Sequence, residues 1–315
     1  MRSKSFAGYA VLVLLYNLAV IVWGAFVRAT GSGAGCGSHW PACNGAIVPR
    51  AASTETLIEF THRATSGVAL LAVIVLVWLA RRAFAKGHRV RRAAMASLVL
   101  MVIEALLGAG LVLFGLVADD ASVARALAMP IHLLNTFLLL AALALTCLWS
   151  FGVPAPRPRG VVVPFALGLA LLATMIVGAT GAVAALGDTL FPAGSLREGI
   201  AQDFAETSHF LLRLRVLHPF LAVAAGALLT FVAVAIPSRA PRPGVRPLAL
   251  SLVVLFVAQV GIGVVNLILL APVSLQLVHL LLADLVWIDL VLLAGAATVA
   301  EAPAVAPEAA VPAVA

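Results

Sequence analysis

Residues 59–80 read Glu59-Phe60-Thr61-His62-Arg63-Ala64-Thr65-Ser66-Gly67-Val68-Ala69-Leu70-Leu71-Ala72-Val73-Ile74-Val75-Leu76-Val77-Trp78-Leu79-Ala80. A short polar head runs into an apolar stretch that no charge interrupts. Crossing the hydrocarbon core of a membrane takes about 20 apolar residues in a helix, and the stretch 60–80 meets that length. Glu59 and His62 stand three apart and share one face of such a helix.

Seven further stretches are of the same kind: 7–27, 95–117, 129–150, 161–186, 214–236, 248–270 and 276–299. Hydrophobic residues make up 63% of the 315 and charged residues 10%. Soluble domains carry about 45–50% and about 25%. With a mean hydropathy of +1.13, the expected fold class is an all-α polytopic membrane protein with eight transmembrane helices. A β-barrel is excluded, because barrel strands alternate and span about 10 residues. The apolar run behind Arg2 and Lys4 is too long for the core of a signal peptide, and no clean small-x-small cleavage site follows it. It reads as a retained first span.

Lysine and arginine set the orientation. Arg2, Lys4, Arg81, Arg82, Lys86, Arg89, Arg91, Arg92, Arg157, Arg159, Arg239, Arg242 and Arg246 fall on one side, with no acid there until Glu301. The other side mixes arginines with acids. The first side reads as cytoplasmic, which puts both termini inside. The net charge of +7 is then a topology signal, and no nucleic-acid partner is expected.

Punctuation follows the spans. The first closes on glycines between Gly24 and Gly33, and the fifth on Val177-Gly178-Ala179-Thr180-Gly181. The polar loop 31–56 holds Cys36 and Cys43, with Trp40 and Pro41 between them. On the outer side these thiols have a disulfide open to them, and a thiol or metal role as the alternative. Cys147 reads as a packing residue. The loop 187–212 is amphipathic and is expected to form one or two short interfacial helices. Residues 301–315 repeat Ala, Pro and Val and read as a disordered cytoplasmic tail.

The chain repeats weakly. Val27-x-Ala29-Thr30-Gly31 matches Val177-x-Ala179-Thr180-Gly181, His62 matches His218, Glu104 with Gly108 matches Gln259 with Gly263, and His132 matches His279. Four matches in one order argue for two pseudo-symmetric four-helix bundles, 1–153 and 154–300, as a parallel repeat.

His62, His132, His218 and His279 carry the chemistry. Each is expected within the first turn or so of a span that runs from outside to inside, so all four lie near the outer face, two in each half. A histidine pair facing across a helix bundle suits a haem. A bare zinc ion wants three or four ligands, and each half offers two imidazoles. Arg28, Arg63, Arg125, Arg213 and Arg215 stand at the outer helix ends as candidates for pairing with propionates; an interfacial role is the alternative for each. Glu59 precedes His62 by three residues, where Arg215 precedes His218. A carboxylate in only one half suggests that one half does chemistry and the other keeps a permanent cofactor. Pairing of Glu59 with Arg63 is the plainer reading. Glu104, Asp284 and Asp289 lie deeper. Acids at that depth default to functional roles, with Asp284 a candidate for supporting a ligand or moving a proton and an inter-helix contact as the alternative.

The chain resembles the haem A synthase family, in its bacterial and mitochondrial forms, over residues 7–299. The likeness is carried by Arg28-Ala-Thr-Gly-Ser-Gly-Ala-Gly-Cys-Gly-Ser-His-Trp-Pro-Ala-Cys43, by Glu59-Phe-Thr-His-Arg63, by Arg215-Val-Leu-His-Pro219 and by His279-Leu-Leu-Leu-Ala-Asp284. Two departures stand out: Gly37-Ser38-His39 where many members have Pro-Asp or Pro-Thr, and Glu104 where the second half has Gln259. The resemblance implies oxidation of the C8 methyl of haem O to a formyl group, with oxygen from water, for cytochrome oxidase biogenesis. It implies a substrate haem on His62 and His132, a haem b cofactor whose iron is held by His218 and His279, Glu59 as the catalytic acid/base, and a Cys36–Cys43 disulfide. The implied setting is a bacterial cell membrane with the haem sites near the outer face, membrane lipid all round, an electron acceptor, and a haem O synthase as neighbour. Two other readings compete. A dihaem electron-carrier cytochrome linked to quinone would use the same four histidines. A small-solute transporter would leave their alignment unexplained.

Overall fold

Serine and histidine side chains start many of the helices. The first N–H groups of a helix have no partner within it, and short polar side chains supply one. Ser53 accepts from the Thr56 N–H at 3.3 Å, Ser122 from Arg125 at 3.2 Å and Ser195 from Glu198 at 3.2 Å. His88 and His209 serve the same end, each accepting a backbone N–H through Nδ1.

The computed structural model describes residues 2–50, 52–154, 160–242 and 244–298. The expectations for Arg157, Arg159, Glu301 and the tail 301–315 fall outside the described residues. The helices are α1 (Arg2–Ala29), α2 (Thr54–Ala83), α3 (Arg89–Leu113), α4 (Val123–Ser150), α5 (Val162–Leu190), α6 (Leu196–Phe204), α7 (Phe210–Arg215), α8 (Leu217–Arg239), α9 (Val245–Ile268) and α10 (Val273–Ala297), with a 3-10 turn at Ser32–Ala34. α7 and α8 form one span, Phe210–Arg239, and with it eight helices among the described residues are long and apolar enough to cross a membrane. The chain is a multipass membrane protein. The break at Val216 has a local cause: Pro219 has no N–H to offer the Arg215 carbonyl.

Three differences from the sequence reading concern helix ends. α2, α4, α7 and α10 start before the expected 60, 129, 214 and 276; side-chain caps at Ser53, Ser122 and His209 begin the first three early, and α10 starts directly after Pro272. The four histidines therefore lie roughly two turns inside their spans, not within the first turn. The fifth span does not close on Gly181: α5 continues to Leu190, so Thr180 and Gly181 are internal. Gly31, their sequence match, lies past the end of α1 with φ +70°. The two Ala-Thr-Gly stretches thus occupy different settings. In the loop 187–212, α6 is the short helix that stands apart from the spans.

Helix contacts fall into two sets. α1 packs on α2 and α4, and α3 on α2 and α4; α5 packs on α8 and α10, and α9 on α8 and α10. The sets meet along α1, α4, α5 and α10. Leu18, Phe137, Leu140, Ala144, Trp287, Ile288 and Val291 fill that seam. The Phe137 and Trp287 rings stack at 5.1 Å, and the Trp287 indole N–H donates to the Phe137 carbonyl at 2.6 Å. A Cβ on Gly178 would come within 2.5 Å of the Phe137 ring, so α5 meets α4 through a glycine. Lipid is as apolar as these side chains, so close fit holds the seam rather than water exclusion. Large apolar residues such as Leu15, Leu106, Phe165, Val223 and Val257 point outward.

Candidate functional site

Two loops close the histidine end of the molecule. In the first, Thr56 Oγ1 donates to the Gly35 carbonyl at 2.7 Å, and a Cβ on Gly35 would lie 2.6 Å from the Thr56 nitrogen. Only a glycine lets the loop approach α2 this closely. Cys36 and Cys43 form a disulfide and are buried. The Cys36 N–H donates to Glu59 Oε2 at 2.7 Å. Arg63 pairs with Glu59 Oε1 through Nε and Nη2, and its Nη1 donates to the carbonyls of His39 and Ala42 at 2.6 and 2.7 Å. Glu59 is 3% exposed; both its oxygens bind the disulfide loop or the arginine that holds it.

The second loop is held by ion pairs and by hydrogen bonds to its carbonyls, with no disulfide. Arg215 binds Asp188 at the end of α5, at 2.8 Å, and Asp203 of α6, at 2.6 Å. Arg213 donates to the carbonyls of Glu206 and Ser208. Arg125 donates to those of Ala118 and Asp120. Arg28 crosses the seam, donating to Ala185 O and Thr189 Oγ1 of α5 and to Gln276 Oε1 of α10. Each of the five candidate arginines thus has protein partners.

Below the loops lie the histidines. In the C-terminal set, the rings of His218 and His279 have centres 6.3 Å apart and planes at 87°. His218 Nδ1 lies 3.2 Å from the Val177 carbonyl; donating there leaves Nε2 with a free lone pair. His279 Nε2 lies 3.3 Å from Gln259 Nε2. Two imidazoles on opposite faces of one iron, with metal–nitrogen bonds of about 2 Å and ~1 Å from nitrogen to ring centre, stand roughly 6 Å apart at their centres. The observed pair fits that spacing. The Nδ1 atoms of His62 and His279 are buried with no hydrogen-bond partner, which leaves imidazole nitrogens for a ligand to satisfy; His132 Nδ1 faces Glu104 Oε1 at 3.6 Å, beyond hydrogen-bond reach. Among the described residues, no three His, Cys, Asp or Glu side chains group to hold a bare metal ion.

Glycines give the rings their room. A Cβ would meet His62 at 2.9 Å from Gly24, His218 at 3.0 Å from Gly181 and His279 at 2.9 Å from Gly263. Sequence reasoning passed over these glycines as histidine neighbours; the available signal was a glycine on the adjoining span near the histidine's depth. It also missed Asn135 and Thr136, which donate to Glu104 at 2.5 Å each. Asp284 is fully buried and neither carboxylate oxygen has a partner. It lies one turn from Trp287 and Ile288, on the seam face of α10. Asp289 accepts from Ser251 at 2.6 Å, an inter-helix contact.

Comparison with known proteins adds the following. The COX15-CtaA family, described as cytochrome oxidase assembly protein, matches residues 7–291. Two proteins of Thermus thermophilus, each named protoheme IX farnesyltransferase, are 52% identical over 292 residues, which is 92% of this chain and 48% of theirs. The chain spans about half the length of these relatives. A heme A synthase of Bacillus mycoides is 43% identical over 106 residues, 34% of each chain.

Proposed function

The chain belongs to the COX15-CtaA family of cytochrome oxidase assembly proteins, and from that premise we propose that it is a haem A synthase, a membrane oxidoreductase acting on haem O. The observation that supports this most is the His218–His279 pair, whose ring spacing of 6.3 Å suits two ligands of one iron. In this reading His218 and His279 hold haem b, and His62 and His132 hold haem O. Haem b, when bound, supplies one-electron transfer toward an acceptor. Converting the C8 methyl to a formyl group takes up one water and releases four electrons and four protons.

The remaining work falls to side chains of the chain itself. Glu59 lies on the face of α2 that leads to His62, and each carboxylate oxygen has more than one lone pair. It can keep Cys36 and Arg63 while taking a proton from a water at the substrate's edge. The disulfide loop, drawn onto α2 by Glu59 and Arg63, covers that end and limits water access. Val177 fixes the tautomer of His218. The proposed setting is a bacterial cell membrane, histidines toward the outer face and both termini in the cytoplasm.

The name of the Thermus thermophilus relatives, protoheme IX farnesyltransferase, supports a second reading, farnesyl transfer to haem. Their additional length leaves room for that activity outside the matched part. A farnesyltransferase makes haem O and a haem A synthase consumes it, so the two readings place this chain on opposite sides of one intermediate. A third, the dihaem electron carrier, uses the same histidines without altering haem.

Haem content tests the ligand assignment. His218→Ala or His279→Ala is expected to remove the b-type absorption from purified protein, and His62→Ala to leave it. Unchanged absorption in all three would overturn it.

A further inference from the structure

Three of the four histidine rings press against a glycine of a neighbouring span, and the fourth does not. A Cβ built on Gly108 would meet nothing within 4 Å, whereas one on Gly263 would meet His279 at 2.9 Å. The two glycines hold matching places, four residues after Glu104 on α3 and four after Gln259 on α9. What stands beside His132 is Glu104, its Oε1 3.6 Å from Nδ1. The position that meets the last histidine is therefore a carboxylate in one set and a carboxamide in the other.

Glu104 is fixed from the helix that carries His132. Thr136 donates to Oε1 and Asn135 to Oε2, each at 2.5 Å, and Asn135 also donates to the Leu100 carbonyl at 3.0 Å. These two residues follow His132 by three and four, one turn along α4. Asn135 and Thr136 are buried, so the carboxylate is not free to turn away. A carboxamide can donate or accept, while a carboxylate offers acceptors alone. A histidine whose Nδ1–H faces a carboxylate keeps Nε2 for the metal and becomes a stronger donor to it.

We propose that Glu104 is the positioning residue for His132, orienting by the charge it holds 3.6 Å from Nδ1 a ring that, unlike the other three, meets no glycine. This rests on the reading of His62 and His132 as haem ligands. The stronger donor favours ferric over ferrous iron, so a haem in the N-terminal set takes a lower potential than one in the C-terminal set. Electrons removed at His62 and His132 then run downhill to the haem held by His218 and His279.

The test uses the full-length protein, purified and loaded with ferric protohaem, and potentiometric titration followed by absorption. His62→Ala and His218→Ala assign the two reduction waves, the surviving wave in each showing that the variant is folded. Glu104→Gln, isosteric and still able to accept from Thr136, is expected to move the N-terminal wave upward and leave the other in place. It is also expected to weaken protohaem retention at that site by about 10–100-fold. Gln259→Glu is expected to move the C-terminal wave downward. An N-terminal wave that stays put in Glu104→Gln removes the proposal and leaves the haem reading standing. If His62→Ala and His132→Ala both leave two waves, the N-terminal haem site and the role of Glu104 fall together.

Discussion

Three residues before the first histidine of each set stands a charged side chain, and the two are opposite in sign: Glu59 before His62, Arg215 before His218. Both reach outward to a loop. Glu59 takes the Cys36 N–H and the Arg63 guanidinium; Arg215 takes Asp188 and Asp203. In the first clamp the carboxylate is buried, at 4% exposed beside an arginine at 12%, and a disulfide backs it. The second joins side chains that are 14–25% exposed and has no covalent staple. One position thus does the same mechanical work in both sets with inverted charge. A loop clamp accounts for a charge there, but not for its sign. A carboxylate can move a proton and a guanidinium cannot, so at this position only the N-terminal set has a group that can exchange one.

That contrast breaks if Glu59 turns out to be a clamp alone. Glu59→Gln keeps an acceptor for the Cys36 N–H and removes the base. Conversion of haem O is expected to fall about 10²–10⁴-fold while the loop keeps its resistance to protease; full turnover would make Glu59 the counterpart of Arg215 and nothing more. Arg63→Ala tests the clamp itself. It leaves Glu59 buried without its cation, at a cost of about 3–5 kcal/mol, read as early loop cleavage and a lowered melting temperature. Reducing Cys36–Cys43 is expected to cost the same loop ~2–3 kcal/mol for a closure this short and to leave α6 untouched. Arg215→Ala sits lowest. Its partners are partly solvated, so about 1–2 kcal/mol is expected, seen as faster proteolysis near α6. Equal losses from Arg63→Ala and Arg215→Ala would erase the difference between the loops.

The sequence made some of this legible and hid the rest for physical reasons. Eight spans follow from apolar length alone, since nothing else in a protein of this kind is uncharged for so long. Their starts do not, because Ser53 and Ser122 cap polar first turns that look like loop by composition. The Glu59–Arg63 pair was readable from a spacing of four on one helix. The third partner, the Cys36 N–H, was not, since a backbone donor leaves no mark in a sequence. The Ala-Thr-Gly match misleads because two identical tripeptides met different chain directions: α5 runs straight through one, and α1 ends on the first residue of the other. Gly24, Gly181 and Gly263 went unread as histidine neighbours because helix rotation, unknown from sequence, decides which glycine faces a ring. Glu104 was visible as an oddity beside Gln259, while its hold on His132 through Asn135 and Thr136 needed the packing of α3 on α4.

The central claim is that the N-terminal histidine pair presents haem O for oxidation. The direct measurement is to express the chain where haem O is supplied and no other source of haem A exists, then extract and identify the haems. Haem A is expected in the extract, and its loss in Glu59→Gln. Haem O recovered unchanged would contradict it, and haem O made from protohaem and farnesyl diphosphate without an added synthase would assign the chain to the preceding step instead.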